Sequence, residues 1–153
     1  MAATDKRQLI VEHIKATLTT IRTSAGYYTN IGAKVTEGKT NPFDSDRVDG
    51  VDMIDTNDVI VTTTESEEIE NHSIEITIRT IAKSPLTPEV ARKQIADVRK
   101  AMKALENDEW WMQNVTRWSN TSNTFEIEQA EVKIIGTELQ FTIECNTLAL
   151  EEN

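Results

Sequence analysis

The chain has 153 residues, one cysteine and five glycines, and its 16 basic against 26 acidic residues give a formal net charge of -10. That length suits one domain with its own core and leaves little room for a second. The charge argues against the broad basic footprint of a protein that grips nucleic acid, and a lone Cys145 excludes an intrachain disulfide and lends secretion no support.

Met-Ala-Ala-Thr-Asp-Lys-Arg leads into an amphipathic segment rather than a continuous apolar one, so neither a signal peptide nor a membrane span is expected. Thr4-Asp5 supplies a cap, with Gln8 three residues after Asp5, and Ile10, Ile14, Leu18 and Ile21 follow at helical spacing. Val11 widens the stripe, and Ser24-Ala25-Gly26 closes this first helix with a residue suited to the left-handed region. Tyr27 to Val35 reads as a short extended segment at a sheet edge.

From Gly38 to Asn57 the apolar pattern lapses, and Asp44, Asp46, Asp49, Asp52, Asp55 and Asp58 crowd together near Arg47. Mutual repulsion predicts an extended, solvated acidic loop over about 38–57, of the kind that binds or is ordered by a partner. Asp44-Ser-Asp46-Arg-Val-Asp49-Gly50 invites comparison with a calcium loop. Val48 stands at the fifth position, the glycine comes one place late and no glutamate closes the loop, so calcium is not expected.

Val59 to Thr64 is rich in β-branched residues, and Glu65 to Asn71 reads as a polar turn. Beyond it Ile74, Ile76 and Ile78 alternate with Glu75, Thr77 and Arg79, as in a strand buried on one face. Thr87 then caps a second helix with Pro88 at its first position and Glu89 in its first turn. Ala91, Ile95, Val98, Met102 and Leu105 form its apolar stripe. The helix also carries Arg92, Arg99 and Lys103 along one line, beside Lys93 and Lys100. Trp110, Trp111 and Trp118 cluster after it; such rings cap a core, and an exposed pair Trp110-Trp111 would mark a protein contact. Ser119 to Thr124 reads as a loop. Phe125 and Ile127 and then Ala130, Val132 and Ile134 follow in shifted phase, which a bulge near Gln129 reconciles. Ile135-Gly136-Thr137 reads as a turn, and Leu139, Phe141, Ile143 and Cys145 as the inward face of the last strand. Helices on one face of a mainly antiparallel mixed sheet follow, a two-layer α+β domain over the whole chain.

Material for catalysis is scarce. His13 falls at the boundary of the first helix and His72 at a hairpin turn, neither with a metal-ligand neighbour at useful spacing, and Cys145 is buried by pattern. There is no Gly-x-Ser-x-Gly and no phosphate-cradling glycine loop. No catalytic residue, cofactor or metal is expected. The basic line Arg92, Arg99, Lys103 and the acidic Asp44, Asp46, Asp49 on one molecule instead suggest a self-complementary contact. Head-to-tail contacts of that kind close into a ring when the rotation permits.

The helix Arg7-Gln-Leu-Ile-Val-Glu-His-Ile-Lys-Ala-Thr-Leu-Thr-Thr-Ile21, the segment Gly26-Tyr-Tyr-Thr-Asn-Ile-Gly-Ala-Lys-Val35 with Gly38 after it, a hairpin, a helix and a closing hairpin resemble tail terminator proteins of long-tailed bacteriophages. The resemblance spans nearly the whole chain. It implies helices on one side of a mixed sheet and a six-membered ring of identical subunits that closes the head-proximal end of the tail tube and stops its growth. It further implies the tail tube protein and a head-side connector or stopper as partners, DNA passing through without specific binding, and residence in the virion after synthesis in the host cytoplasm. Where relatives bring a proline-led strand soon after the glycine, this chain has its aspartate-rich insertion and Pro42-Phe43. Two other classes compete: a head-side neck completion protein, and a small-molecule-binding regulatory domain, which would need an enclosed apolar pocket. A hydrolase using the clustered aspartates with a divalent cation ranks last.

Overall fold

Asp5 accepts the Arg7 backbone N–H at 2.8 Å and so starts α1, Lys6–Leu18. The computed structural model describes residues 5–38, 49–63, 69–128 and 133–148. The helix ends several residues before Gly26. The Thr19 and Thr20 hydroxyls donate to the carbonyls of Ala16 and Thr17, both at 2.6 Å, which satisfies the last turn locally and lets the chain leave. Thr23–Ala25 is a separate 3₁₀ turn, and Gly26 ends it at φ 91°. Ile21 still reaches the core from outside the helix.

The extended segment expected over Tyr27 to Val35 is shorter than its sequence suggests. Ile31–Ala33 forms another 3₁₀ turn and only β1, Val35–Glu37, is strand, lying at the sheet edge parallel to β2. Gly32 packs against the end of α1; a Cβ there would sit 2.5 Å from the Leu18 carbonyl oxygen. Only glycine allows that approach.

β2, Gly50–Thr63, pairs antiparallel with β3, Ile69–Leu86, and β3 pairs with β5, Lys133–Leu148, which pairs with β4, Val115–Glu128. The sheet order is β1-β2-β3-β5-β4. The acidic loop expected to Asn57 is therefore strand from Gly50 onward. Its aspartates do not simply repel: Asp52 accepts from the Thr36 hydroxyl at 2.5 Å, Asp55 pairs with Arg7, and Val51 and Met53 on either side of Asp52 are buried. Asp44 and Asp46 lie outside the described residues, as does the bulge expected near Gln129.

Two further expectations fail for one reason. Ser119 to Thr124 is not a loop but the middle of β4, and Ile135-Gly136-Thr137 is not a turn but part of β5, where Gly136 pairs with Ile81 on one side and Glu126 on the other. The long neighbour β3 templates β5, and β5 templates β4, so hydrogen bonding across the sheet overrides weak local β propensity. Register shifts at Asn120/Ser122 and Glu126/Ile127 absorb the phase changes.

Ile74, Ile76 and Ile78 stand opposite Ile143, Phe141 and Leu139. All six are buried, with Met53 beside Ile78. α2, Pro88–Ala104, starts as expected: the Thr87 hydroxyl accepts from the Val90 N–H at 3.2 Å. α1 and α2 pack side by side over that face, α1 above β1 and β2, α2 above β3, β5 and β4. Thr17 of α1 donates its hydroxyl to the Ala101 carbonyl of α2 at 2.8 Å. The α2 stripe is wider than its apolar residues suggest, because Gln94 and Asp97 are buried with Ala91, Val98, Ala101 and Met102, while Ile95 is only half-buried. The Thr80 hydroxyl donates to the Gln94 side-chain oxygen at 2.7 Å and lies 2.8 Å from the Thr137 hydroxyl, tying helix to sheet inside the core. A two-layer α+β domain with its helices on one face of a mixed, mainly antiparallel sheet is thus the observed fold.

Candidate interaction site

The second helix places its cations on the surface. Arg92, Arg99 and Lys103 are exposed, and among the described residues none of the three has an ion-pair or hydrogen-bond partner. The other two lysines are engaged: Lys93 pairs with Glu89 at 3.3 Å, and Lys100 donates to the Gly26 carbonyl at 2.9 Å while lying 4.9 Å from the Tyr27 ring centre. Lys100 therefore serves the fold. In a chain of net charge -10, unpaired arginine and lysine on one helix stand out.

Arg99 and Lys103, one helical turn apart, form one wall of a groove of about 450 Å³ with Lys100. The opposite wall is β4, through Trp118, Ser119 and Asn120. Trp118 stands opposite Ile143 on the helix side of the sheet and meets Phe141 at 6.0 Å between ring centres. β4 is also an outer strand, with no strand beyond it among the described residues. Cations and an indole thus share one concave surface beside an outer strand. Arg92, seven residues before Arg99, is not part of it.

The tryptophans divide. Trp111 is a core residue, 2% exposed, at the start of α3, Glu109–Asn114, where the Asp108 carboxylate accepts its backbone N–H at 2.9 Å. It has too little surface to act as the partner contact considered for it. Its indole N–H meets no acceptor among the described residues. Trp110 is half-buried and stacks on His13, ring centres 4.4 Å apart and planes within 8°. Asp49 is exposed, and its carboxylate accepts the Lys83 N–H at 2.7 Å.

His72 is not at a turn. It lies within β3, where its Nδ1 is 2.8 Å from Asp58 and its Nε2 is 2.9 Å from the Thr147 hydroxyl. Among the described residues no group of three histidine, cysteine, aspartate or glutamate side chains is arranged to hold a metal ion. Cys145 is buried, and burial pushes its thiol up to about 11.

The sheet face away from the helices carries a polar chain. Thr77 donates to Gln140 at 2.9 Å, Gln140 donates to Glu138 at 2.7 Å, and Arg79 donates to Glu138 at 3.2 Å. Glu126 joins through a carboxyl–carboxylate hydrogen bond to Glu138, which, with burial and the neighbouring charge, raises Glu126 to about 7. The same bond holds Glu138 below its ordinary value.

Asp97 was invisible to a search for apolar stripes. It is 1% exposed, accepts the N–H groups of Tyr28 and Thr29 at 2.9 and 2.8 Å and the Thr29 hydroxyl at 2.6 Å, and so fastens the Gly26–Val35 segment to α2. A charged residue at a core position of the helix was the available signal.

No protein-family model matches the chain, and no curated protein matches it. Among the described residues no helix is long and apolar enough to cross a membrane.

Proposed function

We propose that this chain is a structural subunit that assembles with copies of itself into a ring, and that the ring caps the head-proximal end of a phage tail tube. The carrying observation is the groove of α2 and β4, whose Arg99 and Lys103 have no partner among the described residues, on a chain that is otherwise strongly acidic. A molecule with two complementary surfaces associates head to tail, and such contacts close or propagate. The element order and the one-sided helix layer agree with the tail terminator resemblance. Repeated copies of a -10 subunit would repel phosphates, which suits a passage that DNA traverses without sticking. In this reading the tail tube protein and a head-side connector contact the two faces of the ring.

Gold-labelled antibody on intact particles is the test. Label at the head-proximal end of the tail, together with overlong tails when the gene is silenced, is the expected result. Label on tailless, DNA-filled heads would overturn it in favour of a head-side neck protein. The groove also has the volume of a small-ligand site, which favours a regulatory binding domain as the second reading. Strong thermal stabilisation by a small anionic metabolite, with no self-association, would select that reading.

A further inference from the structure

The described residues lining the α2–β4 groove include three cations and no acid, on a chain with 26 acidic residues. Lys100 is spent on the Gly26 carbonyl and the Tyr27 ring, which leaves Arg99 and Lys103 as the charges available to a ligand. The nearest acid beyond them in sequence, Glu106, lines a separate hollow with Trp111 and Met112. On the opposite wall Trp118 is half-buried. Phe141 backs its ring at 6.0 Å and 41°, and an indole supported in that way is a platform for a second flat ring. Both walls are short. Arg99 and Lys103 stand about 6 Å apart along the helix axis, and Trp118 to Asn120 span about 7 Å of strand. That is the reach of one small molecule, whereas an extended peptide or an oligonucleotide would run past both walls.

We propose that the groove binds a nucleoside polyphosphate, with the base stacked on Trp118 and the phosphates held between Arg99 and Lys103. Arg99 offers a planar fork of donors and Lys103 a point charge, and both suit phosphate oxygens. A simple anion would use the cations and leave the indole idle; a neutral aromatic would do the reverse. Only a molecule carrying both groups uses both walls. Duplex DNA keeps its bases inside the stack and presents phosphates alone, so this site does not hinder its passage. An occupied groove has no cations left for a second copy, so ligand and self-association compete. That competition rests on the function proposed above; the binding does not.

Isothermal titration and tryptophan fluorescence of the purified chain with ATP, adenosine and tripolyphosphate test it. ATP is expected to bind at least about tenfold more tightly than either of its parts and to quench the indole emission, less so at high salt. Arg99→Glu and Lys103→Glu should each weaken ATP about tenfold, and Trp118→Leu should weaken ATP about tenfold while leaving tripolyphosphate unchanged. Arg92→Glu, which reverses a charge of the same helix outside the groove, should alter binding less than about twofold. Circular dichroism confirms the fold of every variant. The proposal is overturned by ATP that does not bind, by tripolyphosphate that binds as tightly as ATP, or by an Arg92→Glu loss equal to that of Arg99→Glu. It is also overturned by an oligothymidylate that binds more tightly than ATP, which would mark a single-strand nucleic-acid surface. Sedimentation separates this site from the assembly reading. Association unaffected by saturating ATP would sink the groove as the assembly contact and leave the ligand site standing. Association lost on reversing Arg99 and Lys103, with no ATP binding in wild type, would do the opposite.

Discussion

The two faces of the sheet are made by the same strands and held by different physics. On the helix side, Ile76 and Ile78 face Phe141 and Leu139 in a dry layer under α1 and α2. On the other side, Thr77, Arg79, Glu138 and Gln140 alternate with those residues and form a chain of hydrogen bonds open to water at its margins. Removal of apolar area from water fixes the first face at any pH. The second face is held by charge, and its contribution depends on one proton shared between Glu126 and Glu138.

That contrast orders the expected effects. Phe141→Ala should cost about 3–5 kcal/mol, measured by urea unfolding, since the ring is 1% exposed and lies in the core. Asp97→Ala should cost about 2–4 kcal/mol by leaving three donors of the Tyr28-Thr29 segment without their acceptor, and should loosen that segment in hydrogen exchange before the sheet opens. A loss below about 0.5 kcal/mol would mean that the segment is held by Lys100 and Tyr27 instead. Thr87→Ala, which removes the exposed N-cap of α2, should cost about 1 kcal/mol.

Effects on the open face should be smaller and should depend on pH. Glu126 keeps its proton in the fold up to about pH 7, whereas the unfolded chain releases it near 4.5. Its stabilisation is therefore complete below that lower value and is lost as pH rises through about 7. Glu138, shifted down, acts in the opposite sense: its contribution is present above the ordinary carboxyl range and fades as pH falls. Thermal melts should show wild-type stability declining between about pH 4.5 and 7 and levelling off above, by no more than about 1 kcal/mol because water screens both groups. Glu126→Gln should flatten that decline; an unchanged slope would place the titration elsewhere. Glu75→Gln, exposed on the same face, should change stability by less than about 0.5 kcal/mol at any pH.

Much of this architecture is legible in the residues one after another. The isoleucine alternation, the Thr87-Pro88-Glu89 start of α2, the Asp5 cap and the inward face of β5 are short-range patterns, and each appears where its period or cap places it. The wrong readings share a different property. Asp52, Asp55, Ser119 to Thr124 and Gly136 look like loop residues because their partners Thr36, Arg7, Gln140 and Ile81 are distant in sequence. The groove could not be read in full either. Arg99 and Lys103 were recognisable as a basic line on a helix, but Trp118 and Asn120 join them only because β4 pairs outside β5.

By itself, then, the amino-acid order determined the starts of the two long helices, the buried faces and the surplus of negative charge, since each follows from local periodicity, capping and counting. Only the tertiary structure decided which aspartates are neutralised, which polar residues become strand and which α2 cations have no partner among the described residues. Those outcomes depend on strand register and helix docking, which bring together groups that the chain keeps far apart.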